Sequence, residues 1–113
     1  MPPQVHDDQA LLREIGLNFA EAAMLCESLR ALWLSPKFAQ RIWLDLGDLM
    51  RSERLDEKWG TDADALVKRL GRLGRAEATA LLRAAIRFWE RREEPTAKSL
   101  RDLGLIRARK RGV

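Results

Sequence analysis

Few residues in this chain have the chemistry for catalysis. His6 is its single histidine, Cys26 its single cysteine, and tyrosine is absent. An imidazole acting as general base needs a partner held within hydrogen-bond reach; His6 precedes the first expected helix and has none, so it reads as a surface side chain. A reactive thiolate needs basic, partly open surroundings, whereas Cys26 falls in the middle of an apolar helical face and reads as an inert core thiol. Asp45 and Asp48, in "DLGDL", set two carboxylates on one helix without further ligands, and no His/Cys cluster has zinc-site spacing. No Gly-rich loop resembles a phosphate cradle. These residue types predict no enzyme, no metal and no cofactor.

Arginine is what recurs at helical spacing. Arg83, Arg87 and Arg91 repeat every four residues, opposite the face expected to be buried. Like charges so placed cost an isolated helix about 0.2–0.5 kcal/mol per pair, relieved in part here by Glu90 and Glu94. Lys68, Arg69, Arg72 and Arg75 crowd the preceding turn. Arg107, Arg109, Lys110 and Arg111 form a basic tail. A solvated, solubilising face is the plainer account of such a stripe. The functional account is pairing with phosphate, for which guanidinium is well shaped, in contacts that position a backbone without reading bases.

The net charge of +4 conceals an asymmetry. Residues 1–57 carry six Lys/Arg against ten Asp/Glu, a balance of −4; residues 58–113 carry fifteen against seven, a balance of +8. DNA or RNA is therefore the expected partner of the second half. The alternative is a protein–protein adaptor or inhibitor, including a homodimer, that uses the acidic first half and exposed apolar residues. Leu44 is expected to point away from its helix's apolar face, and Met24 to lie off the main stripe of its own. Trp59, between the halves, is expected to plug their seam, with partner contact as its second role. No small-molecule substrate is suggested.

The elements that must position these residues are helices. At 113 residues the chain has the size of one domain, and its abundant Ala, Leu, Arg and Glu favour helix almost throughout. An all-α bundle of five to six helices over residues 1–113 is predicted. A lone cysteine suits a reducing interior; no secretory or membrane-spanning apolar run is present, so the cytoplasm is the expected compartment.

Local signals divide the chain. Asp7 and Asp8 are placed to cap a short helix, "QALLREI", which Gly16 ends. Asn18 and Glu21 approach a capping box with Leu17 as a staple, and Phe19, Ala22, Leu25, Cys26, Leu29 and Leu32 share one face. Ser35 and Pro36 restart the chain into a helix to about Ser52. Residues 54–61 are expected to be a loop. Asp62 or Thr61 caps "ADALVKRL", with Leu66, Leu70 and Leu73 inward. A long helix follows from about Arg75 to Glu93, burying Ala78, Leu81, Leu82, Ala85, Ile86 and Trp89. "AKSLRDL" forms a last short helix that Gly104 stops.

These signals recur. "ALLREIGLNFAEA" aligns with "ALVKRLGRLGRAEA" across one inserted residue, matching Gly16 with Gly71, Glu21 with Glu77, Leu25 with Leu81 and Trp33 with Trp89. The chain is thus read as two pseudo-repeated three-helix halves, residues 7–53 and 62–106, sharing one core about a pseudo-twofold axis, with a basic tail at 107–113. Within the second half, "SLRDLGLIRARKRG" looks like the end of a winged-helix recognition helix running into its wing. It departs from that pattern in two ways: the preceding helix is too long for the fold's second helix, and no strands follow to build a wing.

Overall fold

The computed structural model describes residues 8–33, 42–91 and 94–106, and within them the chain is wholly helical. The helices are α1 (Asp8–Ile15), α2 (Phe19–Trp33), α3 (Ile42–Ser52), α4 (Leu55–Trp59), α5 (Ala63–Gly71), α6 (Arg75–Glu90) and α7 (Ala97–Asp102). Seven helices among the described residues exceed the expected five to six because residues 55–59, expected to be loop, form a short helix. Arg54 at φ 56° and Gly60 at φ 65° bracket α4, and Leu55 anchors it in the core.

Most boundaries are set by contacts three or four residues long. Gly16, at φ 65°, lets the chain leave α1. Asn18 N–H donates to Glu21 Oε1 at 3.0 Å and Glu21 N–H to Asn18 Oδ1 at 2.8 Å, a complete box at the start of α2. The Asp62 carboxylate accepts from Ala65 N–H at 3.1 Å, and Thr96 and Ser99 exchange bonds at the start of α7.

Helix α2 is the hub. It packs against α3, α4, α6 and α7, and Ala22, Ala23, Met24, Leu25, Cys26, Ser28 and Leu29 are all buried. A helix covered on that many sides needs apolar residues most of the way round. Met24 is consequently no surface residue: its exposure is 0%, which corrects its expected place in a partner patch. Phe19, expected inside, is 36% exposed at the first position of α2.

Helix α6 buries Ala80, Leu81, Ala84, Ala85 and Phe88, with Leu82 and Ile86 only partly covered. The buried face is therefore turned toward the small residues relative to expectation, and alanines there admit the close approach of α1 and α2. Helix α3 meets α5 at Gly47, where a Cβ would stand 2.9 Å from Val67 Cγ2. Apolar side chains of all seven helices join one buried cluster reaching from Leu12 to Leu105.

The halves run in the same helix order, but their contacts do not exchange. The N-terminal helix α1 packs chiefly on α6, whereas its counterpart α5 packs chiefly on α3 instead of α2. Gly16 and Gly71 differ likewise, since Gly71 remains helical. A pseudo-twofold arrangement would match both pairs.

Candidate functional site

The predicted stripe is at the surface: Arg83, Arg87 and Arg91 are all exposed, the last just past the end of α6. A rise of 1.5 Å per residue sets neighbours about 6 Å apart along the axis and the outer two about 12 Å apart. They differ in what they meet. Arg83 Nη1 donates to Asp8 Oδ2 of α1 at 2.8 Å. Arg87 and Arg91 form no ion pair with a described residue.

Positive charge near the α5–α6 turn is partly consumed by the fold. Arg69 reaches back to the first half, donating from Nη1 to Glu21 Oε2 and from Nη2 to the Ile15 carbonyl, each at 2.7 Å. One guanidinium thereby satisfies a carbonyl at the end of α1 and the acid that caps α2. Lys68, Arg72 and Arg75 stay exposed without a described ion-pair partner. Of these cations, Arg72 and Arg75 flank the start of α6 and Arg87 and Arg91 its end, with Arg83 engaged between them. Arg107, Arg109, Lys110 and Arg111 lie outside the described residues, as does His6.

Of the remaining candidates, Trp59 and Cys26 occupy structural positions, whereas Leu44 is exposed. Trp59 is partly buried on α4; its Nε1–H donates to Glu27 Oε1 at 2.8 Å, its ring meets Phe19 edge-on with centroids 5.6 Å apart, and Lys58 Nζ lies 5.3 Å from the ring centroid. These contacts bind α4 to α2. Leu44, in the first turn of α3, is 52% exposed. Cys26 is buried, and that burial, with a smaller contribution from the neighbouring Glu27 charge, pushes its thiol up to about 12. Asp48 pairs with Arg51 at 2.6 Å, while Arg51 also bonds Asp64 of α5. Among the described residues no group of three or more His, Cys, Asp or Glu is placed to hold a metal ion, and no helix is long and apolar enough to cross a membrane.

Of the stretch that resembles a winged helix, residues 99–102 belong to the six-residue α7, Leu100, Leu103 and Leu105 are buried, and residues 107–112 lie outside the described residues. Sequence reasoning missed the role of Asp8: it suggested a helix cap, and nothing local discloses a partner 75 residues away. Compared with protein-family models, curated proteins and solved structures, the chain matches none.

Proposed function

We propose that this is a small, non-enzymatic regulatory or accessory protein whose basic second half contacts nucleic-acid phosphates. The observation that carries the reading is the pair Arg87 and Arg91, exposed and without a described ion-pair partner, in a half of balance +8. Such contacts hold a backbone irrespective of sequence, and Arg107, Arg109, Lys110 and Arg111 would add a clamp. We also read the halves as diverged copies of one unit, the later copy having gained the charge. The recurring helix order supports this, as does the matched contact of Glu77 Oε1 with Gly74 N–H at 3.1 Å.

The test is binding to duplex and single-stranded DNA and RNA across a salt series. If those six cations meet phosphates, log affinity for duplex DNA falls with log salt at a slope of about −5. Arg87→Ala with Arg91→Ala should make the slope shallower by about 2, and deletion after Ile106 by about 4. Absence of binding at low salt, or tail removal without loss, ends the reading.

A second reading, a protein–protein adaptor or inhibitor, is favoured by the exposure of Leu44. A stable protein complex or dimer in solution that is indifferent to tail deletion but lost with Leu44→Asp would select it.

A further inference from the structure

The first arginine of the stripe is set apart from the other two. Its guanidinium lies 2.8 Å from the Asp8 carboxylate, and the Asp8 side chain is 15% exposed against 44% for that of Arg83. Asp8 stands in the first turn of α1, the helix that packs on α6. The other charged groups of α1, Arg13 and Glu14, are exposed and form no ion pair with a described residue. Among the described charges of α1, Asp8 alone engages the stripe.

We infer that Asp8 is a built-in competitor for phosphate, holding Arg83 out of the basic stripe so that nucleic acid meets one arginine fewer than the sequence displays. This rests on the nucleic-acid reading above. A guanidinium does not deprotonate, so its partners exchange only one anion for another. A phosphate approaching Arg83 must displace a carboxylate already within bonding distance and then face the negative charge left behind. That charge also opposes a phosphate at Arg87, one helical turn away. Removing the carboxylate leaves Arg83 free, and each phosphate newly neutralised releases one more condensed counterion.

Asp8→Asn tests this on duplex DNA over the same salt series. Glu14→Gln makes the same change of charge at an exposed position of α1, and Asp8→Asn/Arg83→Ala asks whether Arg83 receives the gain. Asp8→Asn should bind several-fold tighter at low salt, with a slope steeper by about 0.9. Glu14→Gln should keep the wild-type slope, and the double variant should return to it. Circular dichroism checks that each variant is folded, and Asp8→Ser replaces Asp8→Asn if it is not. A shared slope for Asp8→Asn and wild type, or an equal gain from Glu14→Gln, overturns the competitor while leaving the proposed function intact. Binding by Asp8→Asn alone would uphold the competitor and end the claim that the wild-type chain binds; binding by neither ends both.

Discussion

Cys26 shows how far burial can silence a reactive side chain. Its thiolate would have to form inside the apolar packing of α2, beside Glu27, and its pKa is raised from 9.0 to about 12. The folded state thus favours the protonated thiol. That preference contributes stability fully below pH 9 and loses it as the pH climbs toward 12. In urea titrations, stability of the wild-type chain should fall over that range, and Cys26→Ala should flatten the fall relative to its own value at pH 7. A thiol reagent at pH 8 should label the native chain far more slowly than the denatured one. Both outcomes depend on position and not on residue type, for an exposed cysteine would show neither.

At the scale of elements, α3 and α5 press together where one side chain is missing. Gly47 lies within a helix, so alanine there would normally gain up to about 1 kcal/mol of helix propensity. Its methyl would stand 2.9 Å from Val67 Cγ2, and a β-branched side chain in a helix has little rotamer freedom to retreat. Gly47→Ala should therefore destabilise the protein by about 1–3 kcal/mol. Val67→Ala should recover much of that loss in the double variant, giving a coupling visible in a denaturant-based double-mutant cycle.

Which elements the sequence discloses follows from the reach of their contacts. The Asn18–Glu21 box, the Asp62 cap and the turn at Gly16 each close within three or four residues, and all were readable. Residues 55–59 offer no apolar period from which a helix can be read; they form α4 because Leu55 is buried and Trp59 bonds Glu27, 32 positions earlier. Met24 is buried off the main stripe of α2 for a related reason: a periodic pattern indicates one buried face, not how many neighbours a helix will have. In the candidate site, the exposure of Arg87 and Arg91 was legible from spacing, while the engagement of Arg69 and Arg83 was not. Their partners lie 48 and 75 positions away, beyond any local rule.

For the whole molecule, the halves depend on each other. Helix α1 leans on α6, α7 on α2, and α5 supplies the arginine that ties α1 to α2. Units of fifty-odd residues have marginal cores even when intact, and here each would also lose its principal neighbours. Residues 1–57 and 58–113 expressed separately should show little helix by circular dichroism, and the full chain should melt in one cooperative transition. Two separate transitions, or a well-folded fragment, would contradict this interdependence.

The clasp between Asp8 and Arg83 also sets a timetable for the nascent chain. At about 5–20 residues per second, the ribosome needs roughly 4–15 s to add the 75 positions that separate the pair. Through that interval α3 and α4 are already available to α2, while the side of α2 that α6 covers has no partner yet translated.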